Sequence, residues 1–597
     1  MASERQLDDF FGVQTDRLAE GRETLKDSLV RRLSFRSRLR LLPKVLSFRE
    51  RYAVLALILV VIGSLIAIPI ASYFHYTVPV PAYGGTITEG VLGEPRRVNP
   101  LLATGTDTDR DLASLIYSGL MRYNGEGKLV PDLAKSHPEI TSDGLTYTIQ
   151  LREDAHWHDG RPVTADDIVF TVQTVQNPDF ASALQGNWGG VTAEKVSDFV
   201  VAFRLKAKYP QFLNNLTMGI LPRHLWQDVR PINFPLSELN LKPVGSGPFE
   251  FAELRKDKEG RLLAYELSAH KEYHGGRPYL DGIIFRFYET EAALVEAFNN
   301  NDIDSIGFVS ALGAEKLKFG RRLVLEQLKM PRYFALFLNQ SQSPPLEEKN
   351  VRLALAHATN RVEVINEVLG GNAFLVDSPM LGGVLDINPH VPSYDYDPVL
   401  ANQILEQGGW VAGEDGIRVR RGERLTLTIS TSTWSELSLT ANLIAEQWRQ
   451  IGAEVSVEEL PVNQLNRDVI APRAYEVLLF GQVLMFDPDP YTLWHSTQFR
   501  SPGGNLSLYS NTTADRLLEE ARQTTNALER AAKYDEFQRV LIGDIPAVFL
   551  HSPYYLYGRS RDVQGFATTA ISLPSERFTN AARWYLETKR IFSSSGE

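Results

Sequence analysis

The sequence contains no cysteine in its 597 residues. Disulfides, cysteine nucleophiles, cysteine-ligated zinc and a lipid on an N-terminal cysteine are therefore excluded. The chain also lacks the Gly-x-Ser-x-Gly elbow of serine hydrolases, the Walker lysine loop and the dinucleotide-binding glycine fingerprint. Residues 244–249, VGSGPF, are glycine-rich, but they lack the lysine and the following helix of a phosphate cradle, so we predict a tight turn into a strand.

Positive charge is scarce outside the N-terminal segment. Residues 1–51 hold 12 Lys and Arg against 8 Asp and Glu, whereas the remaining chain holds 50 against 65. The net charge is thus +4 for the segment and −15 for the body, within a total of −11. Because phosphate neutralisation needs a basic surface, this body argues against a nucleic-acid partner.

One uncharged apolar run stands near the N-terminus, at residues 53–72, AVLALILVVIGSLIAIPIAS. Its 20 residues suffice for a helix to cross about 30 Å of hydrocarbon, and Pro69 is tolerated in such a helix. Basic residues crowd the segment before it, and the first charge after it is Glu89. The positive-inside rule therefore predicts a cytoplasmic N-terminus and an outer body from about residue 75. A cleaved signal peptide is the alternative, but its apolar region is normally shorter and closer to the start.

The body alternates between strand-like and helix-like patterns. Residues 144–152 alternate as a half-buried strand, and Asp159-Gly160 signals a turn. Thr164 and Asp167 then predict a capped helix ahead of an apolar run. Strand and helix patterns continue to alternate toward the C-terminus, which predicts an α/β architecture.

Two groups of polar residues invite a chemical interpretation. His156 and His158 are two apart, but no further ligand motif follows, so we predict a structural role and no metal site. Asp487 and Asp489 could form the acid/base pair of a hydrolase. Each precedes a proline, so both are biased toward extended backbone. A loop lining a cleft is the favoured interpretation.

The chain resembles the extracytoplasmic solute-binding proteins of the peptide/nickel ABC importer group, family 5. The resemblance rests on blocks that follow one another in the family's order: 130–136 (VPDLAKS), 142–148 (SDGLTYT), 158–170 (HDGRPVTADDIVF), 244–249 (VGSGPF), 274–283 (HGGRPYLDGI), 351–357 (VRLALAH), 396–398 (YDP), 408–410 (GGW), 447–455, 487–491 (DPDPY), 509–511 (YSN) and 545–550 (IPAVFL). Together they span nearly all of residues 85–570.

This resemblance implies a two-lobed periplasmic-binding-protein-like clamp of type II, the large peptide-binding class, preceded by one transmembrane helix. The implied divisions are a cytoplasmic segment 1–51, the helix 52–74, a linker 75–84, lobe I at 85–337, lobe II at 338–555, and a return to lobe I with a C-terminal tail at 556–597. Hinges are expected near residues 338–339 and 555–556. The block at 158–170 then belongs to the packing of lobe I.

The resemblance also implies a function. The expected protein is a membrane-anchored receptor of an ABC importer, which captures oligopeptides or similar solutes by closure and passes them to the permease. The expected partners are the solute, permease and ATPase subunits, and the membrane; a monomer without catalytic residues, metal or cofactor is expected. The expected solute contacts are Tyr117 and Asn187 from lobe I, and Trp434, Gln482, Asp487 and Trp494 from lobe II.

One position departs from the family pattern. Members that bind the free amino terminus of a peptide carry an aspartate about four residues before the proline that Pro488 matches. That position is Leu484 here. Either Asp487 or Asp489 takes over this role, or the solute is not a free-amine peptide.

Two alternative functions remain open from sequence. A receptor of the same fold could sense its solute and signal through a partner that contacts residues 1–51. An anchored hydrolase using Asp487 and Asp489 is the third hypothesis. Neighbouring permease genes would favour import. Unchanged solute binding with no hydrolysis after substitution of both aspartates to asparagine would remove the hydrolase hypothesis.

Overall fold

The computed structural model describes residues 47–103, 105–318, 320, 323–381 and 391–592. Nearly all of the segment expected to be cytoplasmic, residues 1–51, lies outside these residues. The described chain forms two compact units, one from the described parts of Met1–Val80 and Thr588–Glu597 and one from Pro81–Glu587.

The α-helices of the described residues are numbered along the chain. They are α1 (Phe48–Tyr76), α2 (Asp107–Ile116), α3 (Ala165–Gln176), α4 (Phe212–Asn215), α5 (Arg223–Trp226), α6 (Glu291–Asn299), α7 (Ala311–Glu315), α8 (Pro344–Glu347), α9 (Lys349–His357), α10 (Arg361–Leu369), α11 (Pro398–Gln407), α12 (Ser435–Gln450), α13 (Val462–Gln464), α14 (Tyr491–Trp494), α15 (Thr512–Gln523) and α16 (Ala527–Asp544).

The strands are numbered in the same way. They are β1 (Thr77–Pro81), β2 (Thr86–Leu92), β3 (Met121–Tyr123), β4 (Leu129–Pro131), β5 (Glu139–Ile140), β6 (Thr146–Gln150), β7 (Val191–Ser197), β8 (Val200–Leu205), β9 (Phe249–Lys256), β10 (Leu262–Ala269), β11 (Gly282–Tyr288), β12 (Ser305–Val309), β13 (Leu323–Leu328), β14 (Arg332–Leu338), β15 (Ala373–Leu375), β16 (Val411–Ala412), β17 (Arg418–Arg420), β18 (Glu423–Arg424), β19 (Thr426–Ser432), β20 (Glu454–Leu460), β21 (Val477–Val483), β22 (Ala547–Pro553), β23 (Tyr555–Ser560) and β24 (Thr588–Phe592).

The smaller unit consists of α1 and a two-stranded sheet. Helix α1 has 29 residues and contains the whole predicted apolar run, including Pro69. Its described start is capped by Ser47, whose backbone N–H donates to Glu50 at 2.7 Å. Strand β1 follows α1 at once and pairs with β24. Residues 77–81 are therefore a strand where a linker was expected, and residues 588–592, at the C-terminal end of the stretch expected to hold the return to lobe I and the tail, belong to this unit.

A seven-stranded mixed sheet organises the part of the larger unit that we call lobe I, residues 82–328 and 555–587. Its strand order is β13-β23-β12-β2-β11-β10-β9, with β2 parallel to both β11 and β12. Ile87 of β2 lies opposite Ile283 of β11, and both are fully buried. A four-stranded antiparallel sheet, β5-β6-β8-β7, extends the same hydrophobic core.

A six-stranded sheet organises lobe II, residues 332–553, in the order β15-β22-β14-β21-β19-β20. Alternate residues of β14 enter different cores, because successive side chains point to opposite faces of a strand. Phe334, Leu336 and Leu338 pack in one core. Tyr333, Ala335 and Phe337 pack in the other. Burial on both faces explains why β14 reads as a nearly continuous apolar run.

The chain crosses between the lobes at two short connections. Residues 329–331 join β13 to β14, and Tyr554 joins β22 to β23. The first hinge was expected near residues 338–339, and this prediction is wrong because β14 pairs with β21 and β22 inside lobe II. An apolar strand pattern does not indicate which of two sheets the strand joins. The second crossing lies within two residues of its expected position.

Candidate functional site

Three cavities lie between the lobes and share parts of their walls. The central cavity has a volume of about 460 Å³, the Phe486 cavity about 610 Å³ and the Tyr491 cavity about 1010 Å³. Asn214 and Asp487 line both the central and the Phe486 cavities. Tyr209 and Thr492 line both the central and the Tyr491 cavities. We call the three together the cleft.

Both lobes build the central cavity. Lobe I contributes the end of α2 and the loops around residues 184–188 and 209–219, and lobe II contributes residues 483–493 after β21. A buried ionic cluster holds α2 in place. The Arg577 guanidinium donates to Asp111 of α2 at 2.8 Å and to Glu89 of β2 at 3.0 Å. The wall that carries Tyr117 is thereby tied to the central strand of lobe I.

The loop after β21 carries the two aspartates singled out from sequence. Asp487 accepts from Nη2 of Arg530 at 3.1 Å to each carboxylate oxygen. Asp489 lies 2.7 Å from Nη2 of Arg522. Burial raises the pKa of the Asp487 carboxyl, and Arg530 opposes that rise. Burial likewise raises the pKa of Asp489, against the effect of Arg522.

These ion pairs bear on the hydrolase hypothesis. A general acid/base pair needs two carboxyls that share access to the reacting atoms. Here each carboxylate is held by its own arginine, Asp487 by α16 and Asp489 by α15. The geometry is that of a braced loop on the wall of a cleft.

The lobes touch each other across this loop. Asn214 Nδ2 of lobe I donates to the Asp487 carbonyl at 3.2 Å. The rings of Tyr123 and Phe486 lie 4.9 Å apart between centroids. Nearby, Gln211 Nε2 donates to the Tyr534 hydroxyl at 3.4 Å. The lobes are therefore in contact around the cleft.

Three of the six predicted contact residues come together in the central cavity: Tyr117, Asn187 and Asp487. Tyr117 ends α2, and its buried hydroxyl has no hydrogen-bond partner among the described residues. The Asn187 backbone carbonyl accepts from Asn215 at 2.7 Å. The buried Leu484 lines the same cavity, so the position where the family pattern has an aspartate is apolar wall here.

The other three residues lie elsewhere. Trp434 lines a separate cavity of about 40 Å³ beside Arg332 and His551. Gln482 points into the core of lobe II, where it accepts from the Tyr333 hydroxyl and donates to the Gly504 carbonyl at 2.8 Å.

Trp494 is fully buried between the rings of Phe337 and Phe549. The structure therefore does not bring Gln482 or Trp494 to the cleft. Both face the core of lobe II, because strand register and helix orientation set the direction of a side chain.

Sequence reasoning missed Arg522 and Arg530, which brace the aspartate loop. Neither has a local signal, because both lie on helices well after the loop, Arg530 being 43 residues beyond Asp487. It also missed Phe486 and Asn214, which contact the opposite lobe. Phe486 directly precedes the aspartates, and an apolar residue next to a proposed cleft loop was the available signal.

The block at 158–170 has a structural role. The neutral His158 ring accepts from Gly245 N–H at 3.1 Å and lies 3.1 Å from the Gly247 carbonyl, so it braces the glycine corner. Burial lowers the pKa of His158 to about 3. The predicted capping box is present, with Thr164 N–H donating to Asp167 at 2.9 Å.

Comparison with known proteins identifies the family. Residues 128–504 match the bacterial extracellular solute-binding proteins, family 5. The chain belongs to this family. The match covers more than half of the chain and includes β21 and the aspartate loop.

Individual relatives extend the comparison over both lobes. The oligopeptide-binding protein AppA of Bacillus subtilis is 28% identical over 517 residues, 85% of this chain and 92% of AppA. The structure of AppA in complex with a nonapeptide has a TM-score of 0.66 at 26% identity, covering 85% of this chain and 100% of AppA. NikZ from Campylobacter jejuni, in complex with Ni(L-His), has a TM-score of 0.68 at 26% identity and covers 84% of this chain and 99% of NikZ.

A third solved structure shows the same fold. The ABC transporter substrate-binding protein CtaP from Listeria monocytogenes has a TM-score of 0.73 at 26% identity, covering 85% of this chain and 100% of CtaP. The predicted type II two-lobed α/β fold is confirmed. Family and relatives are solute-binding proteins and not enzymes, so the chain has a solute-binding role.

Proposed function

We propose that this protein is a membrane-anchored extracytoplasmic receptor that captures oligopeptides between its lobes and delivers them to an ABC permease. The observation that carries the proposal is the cleft itself. Its three adjoining cavities are walled by both lobes, so a solute inside contacts both at once. AppA, solved with a nonapeptide, supports an oligopeptide as the solute.

Capture by closure follows from the connections between the lobes. Residues 329–331 and Tyr554 are the two chain crossings found in the described residues, and no sheet is shared between the lobes, so the lobes can rotate without breaking a sheet. A solute that contacts both walls favours the closed arrangement by its differential affinity for that arrangement. We infer that Tyr117, Asn187 and Asp487 contact the solute, whereas Trp434 lines a separate small cavity.

The proposed anchor is α1. It is long and apolar enough to cross a membrane, and all of its apolar side chains lie outside any core of the described structure. Arg590 of β24 donates to the Phe74 carbonyl at 3.2 Å and to the Thr77 carbonyl at 2.6 Å, next to the end of α1. This contact supports a retained helix, because cleavage behind α1 would leave β1 to pair with β24 but would remove the Phe74 carbonyl that Arg590 binds. The basic N-terminal segment would then be cytoplasmic.

Closure is testable with introduced thiols, because the chain has no cysteine of its own. Gly144 of lobe I faces Thr525 of lobe II closely enough that a Cβ at Gly144 would lie 3.2 Å from the Thr525 methyl. The exposed neighbours Ser142 and Leu528 therefore report on this contact. A Ser142→Cys/Leu528→Cys variant of the full chain in detergent would carry a fluorescent donor and acceptor.

We expect the efficiency of energy transfer to rise when a peptide mixture is added, and to fall back to its starting value when the peptide is removed. A Ser142→Cys/Lys258→Cys variant, with both dyes in lobe I, is the matched control and should not respond. Mass spectrometry of the released peptides should find them uncut. Peptide binding without a change in transfer would refute closure, and shortened peptides would identify an enzyme.

A further inference from the structure

The charged side chains that line the cleft do not share the acidic character of the body. The carboxylates of the three cavity walls are Glu126, Asp487, Asp489 and Glu519. The cations of the same walls are Arg110, Lys128, Lys206, Lys208, Lys329 and Arg522. An acidic body of net charge −15 thus surrounds a cleft in which cations outnumber carboxylates.

Most of the carboxylates are already neutralised by the protein. Asp487 and Asp489 are bound by Arg530 and Arg522, as described above. Glu126 lies 3.2 Å from the Lys128 ammonium. A carboxylate in such a pair attracts a second cation only weakly, because the positive charge of the arginine or lysine cancels its negative charge at short range.

The remaining carboxylate of the walls is Glu519. Its oxygen lies 3.3 Å from Nε2 of His495, and more than half of its side chain is exposed to solvent. Water screens a charge in that position far more than it screens a buried one. Glu519 is therefore a single screened carboxylate, set against three exposed lysines on the same walls.

Three exposed lysines of the walls form no ion pair among the described residues, although Lys208 is attracted by the nearby Asp143. Lys206 and Lys208 follow β8 and line the Tyr491 cavity. Lys329 lies on the first crossing between the lobes and lines the Phe486 cavity. These ammonium groups therefore stand at two ends of the cleft, on either side of the central cavity. Closure of the lobes would partly remove them from water and strengthen their attraction for anions.

We propose that the cleft selects acidic oligopeptides, whose side-chain and terminal carboxylates pair with Lys206 and Lys208 at one end and with Lys329 at the other. The ion-paired aspartate loop then contacts the middle of the peptide as polar surface and does not act as a receptor for an amino terminus. This inference rests on the proposed function, because it names the class of peptide that the same cleft takes.

The test measures binding of matched pentapeptides to the full chain in detergent by isothermal titration calorimetry. The peptides are AEAEA, AQAQA and AKAKA, each with a free and with an acetylated amino terminus. We expect AEAEA to bind about tenfold or more tightly than AKAKA, with AQAQA between them. Acetylation should leave the affinity for AEAEA unchanged or slightly improved. The preference should shrink as salt is raised from 50 to 500 mM, because added ions screen partly exposed charges.

Variants connect the preference to named residues. Lys206→Gln/Lys208→Gln should weaken AEAEA about fivefold and change AQAQA by less than about twofold, since exposed charge pairs each contribute modestly. Lys329→Gln should weaken AEAEA about threefold from the other end of the cleft. Lys258→Gln removes the same charge from the exposed β9–β10 turn, outside the three cavities, and should change neither affinity.

The outcomes separate this inference from the function on which it rests. If AQAQA or AKAKA binds as tightly as AEAEA, the charge selection is wrong and peptide capture stands. If acetylation abolishes binding of AEAEA, the cleft recognises an ammonium group and the role given to the aspartate loop is wrong. If none of the six peptides binds, peptide capture itself is overturned together with this inference.

Discussion

The Asp487–Arg530 pair yields the sharpest prediction about the cleft. The two side chains are only 19% and 6% exposed, and one Arg530 nitrogen contacts both carboxylate oxygens at 3.1 Å. Removing one partner of a buried pair commonly costs about 3–5 kcal/mol. Because Asp487 keeps some exposure, we expect Arg530→Gln to lower the free energy of unfolding at pH 7.5 by about 3 kcal/mol, the low end of that range.

The cost should depend on pH. Burial already raises the pKa of Asp487 with the arginine in place. Without Arg530 the folded-state pKa rises further above the unfolded value, so the folded variant takes up a proton that the unfolded chain does not hold. Stability gained in this way is present at low pH and is lost as pH rises through the folded-state pKa. The difference from wild type should therefore shrink on acidification, by at most about 1.4 kcal/mol per pH unit.

The assay is urea unfolding of the full chain in detergent, followed by tryptophan fluorescence at pH 7.5 and 5.5. Arg539→Gln is the matched control, because Arg539 lies on the same helix and pairs with Asp535 at 2.7 Å in an exposed site. That change should cost less than about 0.5 kcal/mol at either pH. Equal effects of the two substitutions would refute the reasoning about burial. A cost of Arg530→Gln that does not change with pH would refute proton uptake by Asp487.

Three further predictions concern lobe packing and closure. His158→Asn should reduce the loss of stability on acidification. The folded-state pKa of His158 is about 3, below the unfolded value, so only the unfolded state is protonated at pH 5. This difference costs the wild type about 2 kcal/mol of stability between pH 7.5 and 5. Urea unfolding at both pH values checks this, and an unchanged pH dependence contradicts it. Phe486→Ala removes the 4.9 Å contact with Tyr123 and should weaken peptide binding about fivefold in the energy-transfer assay; an unchanged affinity contradicts a role in closure. Thr164→Ala should cost about 1 kcal/mol in thermal or urea unfolding through loss of the helix cap, with the exposed Thr512 as a site for a control substitution.

Local patterns predicted much of the fold correctly. The apolar run at 53–72 lies inside α1, residues 144–152 contain β6, and Thr164 caps α3. These predictions succeeded because the relevant interactions lie within one turn or one strand of each other. The hinge prediction failed for the converse reason, since β14 reads as an apolar strand in either lobe and only pairing with β21 and β22 places it.

The candidate site was predicted in part. Tyr117, Asn187 and Asp487 line one cavity, whereas Gln482 and Trp494 serve the core of lobe II. Aromatic and amide residues near strand ends are equally suited to a core and to a cleft. The direction of a side chain depends on strand register and on the packing of neighbouring helices, neither of which a single sequence states.

The sequence by itself determined that cysteine chemistry is absent, that a long apolar helix precedes an acidic α/β body, and that the body carries the ordered blocks of a solute-binding family. Tertiary structure alone decided which charges in the cleft are neutralised. Arg530 binds Asp487, which lies 43 residues before it, while Lys206, Lys208 and Lys329 line the cleft and form no ion pair in the described chain. Electrostatic interactions act through space over a few ångströms, so the field inside the cleft exists only after distant segments have been brought together.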